Sequence, residues 1–223
     1  MSTETVKVWD VLVRIFHWSL VVAFVIAYLT AEEENPLHIY SGYAVLGLIT
    51  FRVFWGFVGT RHARFTDFIY SPMEVVRYLK SLPGGNPKHY LGHNPAGGYM
   101  VIALLICLFV VTFSGLKIYA IEEGRGPLAL ENQPPVLIDS AYADQEDYKY
   151  SENGKYTKDE EEFWEEVHEV STNITLVLIL LHIAGVFISC RVHKENLVKA
   201  MITGRKKNQI NQTTLPGNKS PEL

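Results

Sequence analysis

Residues 170–190 read VSTNITLVLILLHIAGVFISC, 21 positions without Asp, Glu, Lys or Arg. A bilayer-spanning helix needs about 17–25 largely apolar residues, so this stretch is long enough to cross. Three further uncharged runs, 15–31, 35–51 and 89–116, carry most of the remaining apolar mass of a 223-residue chain that is 48% hydrophobic and 20% charged. The runs are continuous rather than alternating, which argues against a β-barrel. The expected fold is all-α: an integral membrane four-helix bundle with helices over about 9–31, 37–58, 95–117 and 163–192. Residues 1–205 would form the transmembrane domain. Within it, 119–164 would be an acidic outer loop, and 206–223 would follow as a flexible tail.

Charge placement orients the bundle. Lys and Arg concentrate in short segments on the cytoplasmic side of membrane proteins. Fourteen of the 20 basic residues fall on one side: Lys7 and Arg14 before the first run, Arg61, Arg64, Arg77, Lys80 and Lys88 after the second, and seven in the tail. Four, Arg125, Lys149, Lys155 and Lys158, fall on the other. Both termini are therefore expected in the cytoplasm, with the 119–164 loop outside. The basic residues flank spans instead of covering one soluble face, so nucleic acid is not an expected partner; membrane lipids are. Residues 72–82 have amphipathic spacing suited to a membrane surface. Cys107 and Cys190 lie in or at the end of different spans and are not expected to bridge. The first run resembles a signal peptide only weakly, so it is read as a retained span.

Ionisable residues inside spans are functional candidates. Four of the eight histidines qualify: His17, His38, His168 and His182. His168 and His182 are 14 residues apart on one helix, about 21 Å along its axis and on nearly the same face. His17 lies at the depth of His182, near the inner side. His38 opens the second helix at the depth of His168, near the outer side. Two depths thus each receive two imidazoles. Zinc wants three or four ligands at one depth, whereas a six-coordinate haem iron takes two axial ligands. The expected cofactors are two haem b groups, an inner one on His17/His182 and an outer one on His38/His168. Hydrogen-bonding structural histidines and an ion pathway are the competing readings. Haem propionates need cationic donors. Arg52 and Arg14 are the inner candidates, each of which could instead snorkel to the headgroups, and Lys117 is an outer one. His93, at the start of the third helix, is a candidate donor to a quinone or a propionate, or a plain cap residue.

Several stretches together resemble the prokaryotic cytochrome b561 family, which groups with the cytochrome b subunit of nickel–iron hydrogenases. They are Trp9-Asp10 with Arg14-Ile15-Phe16-His17-Trp18; His38-Ile39-Tyr40-Ser41-Gly42-Tyr43; Arg52-Val53-Phe54-Trp55-Gly56-Phe57-Val58-Gly59 running on to Asp67-Phe68; Tyr90-Leu91-Gly92-His93-Asn94-Pro95; and the His168/His182 pair. The resemblance implies four core helices in the bacterial inner membrane and two bis-histidine b haems at the same four positions. It also implies electron exchange between the quinone pool and a periplasmic c-type cytochrome, dehydrogenase or hydrogenase subunit. A membrane anchor subunit that recruits a periplasmic redox protein is an alternative, and so is a superoxide-oxidising quinone reductase. The acidic outer loop would repel an anionic substrate and suits a docking role better. Homodimerisation stays open.

Overall fold

The computed structural model describes residues 5–31, 36–85, 87–129 and 157–207. Four helices in it are long and apolar enough to cross a membrane: α1 (Val11–Leu29), α2 (Pro36–Val58), α5 (Pro95–Glu122) and α6 (Lys158–His193). Three short helices, α3 (Phe65–Phe68), α4 (Pro72–Ser81) and α7 (Leu197–Thr203), and two strands, β1 (Thr5–Lys7) and β2 (Arg205–Lys207), complete the described elements with one 3-10 turn at Arg61–Ala63. Contacts divide the chain into two compact units. Residues 1–18, 52–100 and 182–223 form one, and 19–51 and 101–181 the other.

The helix starts follow from capping. Asp10 Oδ1 accepts the Val13 amide at 2.9 Å, so α1 begins at Val11 and Trp9 lies outside it. Asn94 Oδ1 accepts the Gly97 amide at 2.7 Å ahead of Pro95, the cap and first-turn proline expected from sequence. The start of α6 differs from the expectation. It begins at Lys158 and not at 163, because Thr157 and Glu160 form a reciprocal capping box. The Thr157 amide donates to Glu160 Oε2 at 3.0 Å and the Glu160 amide to Thr157 Oγ1 at 3.3 Å. The acidic first turn, Asp159 to Glu161, suits the positive end of the helix dipole. Likewise α5 runs past Lys117 to Glu122, and the Lys117 ammonium lies over the Trp164 ring, 5.8 Å from its centre. The 119–164 loop is therefore shorter than expected, and its 130–156 portion lies outside the described residues.

The first two residues of the expected flexible tail are ordered into a ribbon. Strands β1 and β2 pair antiparallel with Val6 opposite Lys206. The Val8 and Trp9 amides donate to the Gly204 carbonyl at 2.9 and 3.1 Å. Gly204 ends α7 at φ 78°, and a Cβ there would meet the Trp9 carbonyl at 2.6 Å. Only glycine makes this turn and this approach together. Val8, Trp9 and Ala200 pack beneath the ribbon. Residues 208–223 lie outside the described residues.

Within the long helices, hydroxyls bond back to their own backbone. Thr112 donates to Leu108, Ser114 to Val110 and Thr175 to Ser171, at 2.7–2.9 Å. No water is needed to satisfy these groups. Large apolar side chains point outward instead, with Leu29 75% exposed and Leu180 and Phe187 each 67%. Exposure on this scale is foreign to a water-facing surface and suits contact with lipid tails.

Candidate functional site

In the second unit, His38 near the start of α2 and His168 on α6 come together with ring centroids 6.1 Å apart and planes at 75°. His38 Nδ1 lies 2.9 Å from the Ala27 carbonyl. His168 Nδ1 lies 3.0 Å from the Val111 carbonyl and 3.1 Å from Ser114 Oγ. A carbonyl cannot donate, so Nδ1 carries the proton in both rings. That leaves each Nε2 with a free lone pair. Orienting an imidazole through Nδ1 while Nε2 ligates is the usual support for a metal-bound histidine. Gly115 on α5 backs the second ring, where an added Cβ would lie 3.2 Å from His168 Cε1. Gly42, one turn beyond His38, faces open space: a Cβ there would meet nothing within 4 Å.

The first unit repeats the arrangement. His17 on α1 and His182 on α6 have centroids 6.5 Å apart and planes at 49°. His17 meets Trp18 edge-on at 5.2 Å. Its Nδ1 is buried and has no partner among the described residues. Gly185, three residues beyond His182, also faces open space. With a ring nitrogen about 1.1 Å from its centroid, no two nitrogens within either pair come closer than roughly 4 Å, beyond a hydrogen bond. That minimum matches the sum of two metal–imidazole bonds of about 2.0–2.1 Å. The residues therefore fit a metal held between two imidazoles with a flat group around it.

Arg52 belongs to the same unit as this second pair, and the charges of both Arg52 and His182 act on His93. Arg52 is 3% exposed, with its guanidinium 5.3 Å from the Phe65 ring centre and 5.8 Å from that of Phe68. Phe65 also lies against Gly56, where an added Cβ would force the Phe65 ring to shift. Arg52 Nη1 is buried without a hydrogen-bond partner among the described residues. Ring faces moderate such a charge by about 2 kcal/mol when desolvated, against a burial cost of several. His93 is wedged between Trp9 and Phe68, each 4.6 Å away by ring centres. Burial, and then the Arg52 charge, push its pKa down to about 3, so it is neutral at physiological pH. Its Nδ1 is likewise buried and unpartnered among the described residues.

Arg14 occupies a different role. Its guanidinium donates to the Ile202 carbonyl and, at 3.3 Å, to the Asp10 carbonyl. A propionate would have to compete with both. Sequence reasoning also missed two polar knots of this unit. Asp10 accepts from Trp55 at 3.2 Å and Thr60 at 2.6 Å. Burial raises its pKa, but these bonds and the Val13 amide outweigh it and the net shift is downward. Glu195 accepts from His89 at 3.0 Å and lies 3.8 Å from the Lys206 ammonium. The only sequence signal for either was a carboxylate beside an apolar run.

The chain matches the family described as prokaryotic cytochrome b561 over residues 8–204, and it belongs to that family. Four apolar helices in such a chain make it a multi-pass membrane protein, and a b-type cytochrome implies haem b. Among curated relatives it is similar to a probable Ni/Fe-hydrogenase B-type cytochrome subunit of Rhodobacter capsulatus, 28% identical over 155 residues, covering 55% of this chain and 58% of that one. A protein of the same description from Rhizobium leguminosarum bv. viciae is 22% identical over 237 residues, covering 92% and 90%. One from Azotobacter vinelandii is 29% identical, covering 54% and 62%. The match thus spans less than two thirds of the first of these relatives. The search of solved structures found no match to the chain.

Proposed function

We propose that this protein is a di-haem b-type cytochrome that moves electrons across the inner membrane between the quinone pool and a periplasmic redox partner. His17 and His182 would hold one haem b, and His38 and His168 the other. The observation that carries the reading is the repeated pair of imidazoles at 6.5 and 6.1 Å, each pair too far apart to bond directly. Haem, when bound, accepts and releases single electrons at its iron. This chain's own residues do the rest. Ala27 and Val111 orient the His38 and His168 rings through Nδ1. No other atom stands within 4 Å of a Cβ placed at Gly42 or Gly185, and Arg52 supplies a buried cation in the same unit as the His17/His182 pair.

A partner is suggested by the word "subunit" in the names of the relatives. A hydrogenase-like or other periplasmic dehydrogenase is the form it would take here. An anchor that recruits such a protein without itself reducing quinone is the second reading, favoured by the same names. Pyridine haemochrome analysis with reduced-minus-oxidised spectra tests the first. Two b haems per chain are expected, falling to one in His17→Ala and in His38→Ala. A fully loaded preparation with far fewer than two would sink the proposal. Quinone reduction by the isolated chain separates carrier from anchor.

A further inference from the structure

Arg52 is a permanent cation in a dry place. It is 3% exposed, and its Nη1 makes no hydrogen bond among the described residues. The carboxylate that acts on it electrostatically is Asp10, whose oxygens already accept from the Val13 amide, Trp55 and Thr60. Phe65 and Phe68 offer it only ring faces. A buried charge in this state calls for an anion. A second unsatisfied nitrogen belongs to His93, which packs on the Phe68 ring that Arg52 also contacts and feels the Arg52 charge; its buried Nδ1 has no partner among the described residues either. A neutral imidazole carries one N–H. A guanidinium beside a neutral N–H donor suits a carboxylate, which accepts from both.

We infer that Arg52 and His93 together hold one carboxylate, a propionate of the haem proposed on His17 and His182. The inference rests on that ligand assignment. It adds His93 as a positioning residue, with its proton on Nδ1. It also makes the Leu91-Gly92-His93-Asn94 turn part of the haem pocket, beyond capping α5. Phe68 is 0% exposed and its carbonyl stands where a Cβ at Gly98 would have to go. The first turn of α5 is thereby held against Phe68, and the turn bearing His93 with it.

The test is potentiometric titration of the purified, haem-loaded full chain, with each haem assigned by its absence in His17→Ala or His38→Ala. A cation and a donor at a propionate favour the reduced, more negative haem. Arg52→Gln should lower the midpoint of the His17/His182 haem by at least tenfold in its reduction equilibrium, about 59 mV for one electron. The other haem should not move. His93→Leu should shift the same haem in the same direction by less, and His93→Asn, which restores a donor near the Nδ1 position, should recover most of the loss. If Arg52→Gln does not accumulate, His93→Leu and its rescue by His93→Asn carry the measurement. Unchanged midpoints in variants that retain two haems overturn the clamp and leave the ligand assignment standing. A wild-type chain with no haem on His17/His182 overturns both.

Discussion

At the residue scale, the clearest dependence is that of His168 on Gly115. The ring is held from α5 by the Val111 carbonyl and Ser114 Oγ, and the Gly115 Cα is what lets it lie so close. An alanine Cβ at 3.2 Å from Cε1 forces a shift of a few tenths of an ångström. The branched side chain of valine admits no such adjustment. Gly115→Val is therefore expected to abolish the His38/His168 haem and spare the other, whereas Gly115→Ala retains both with a perturbed spectrum. Haem-to-protein ratio by pyridine haemochrome reads the difference, and a Gly115→Val protein with two normal haems would contradict it. The four histidines and their pairing could be read from sequence because a polar residue in an apolar span stands out, and 1.5 Å per residue sets its depth. The carbonyls of Ala27 and Val111 could not, since a backbone acceptor leaves no trace in residue type. Nor could the fate of Arg52, because its neighbours Phe65 and Phe68 come from a connection whose course over α2 is a tertiary matter.

At the scale of elements, span lengths were legible and span ends were not. Hydropathy marks where charge begins, but α6 starts within the charge. Thr157 and Glu160 stabilise five residues of helix that an apolar criterion discards. Thr157→Ala should cost about 0.5–2 kcal/mol of helix stability, seen as faster amide exchange over Asp159 to Glu162, with the haem spectra unchanged. Normal protection of those amides would show that the box contributes nothing. The ribbon of β1 with β2 escaped the sequence because three-residue strands carry no periodicity. Its anchor is electrostatic. Burial raises the pKa of Glu195, but the His89 hydrogen bond and the Lys206 charge outweigh it and hold the carboxyl below its usual range. A depressed carboxyl contributes stability above its unfolded pKa and loses it as pH falls through the folded value. The two termini should therefore separate under acid before the long helices unfold. Glu195→Gln should make their separation insensitive to pH over that window. A spin-label pair on Thr5 and Lys207, whose Cα atoms are partners in the ribbon, follows this distance directly.

At the scale of the molecule, the exposed apolar residues of the long helices demand lipid, and the basic residues choose which way the helices thread it. Fourteen Lys and Arg lie in the two terminal segments and the 59–94 connection, against four in the 123–158 segment. Each such residue resists transfer across the membrane during insertion. The two connections on the other side are poor in these charges, with none in 30–35 and four in 123–158, and their carboxylates contribute little to the bias. The expected thread is N-terminus in, 123–157 out and C-terminus in. The acidic segment then faces the compartment of the proposed redox partner, and its charge would steer a basic docking surface toward the His38/His168 end. Membrane-impermeant maleimide decides the matter in a chain with Cys107 and Cys190 replaced by alanine. A cysteine introduced at Asp144 should label in intact spheroplasts, and one at Lys219 only after permeabilisation. The reverse pattern would put the acidic segment in the cytoplasm, bring the His17/His182 pair to the outer leaflet and oblige the partner and the quinone to exchange sides.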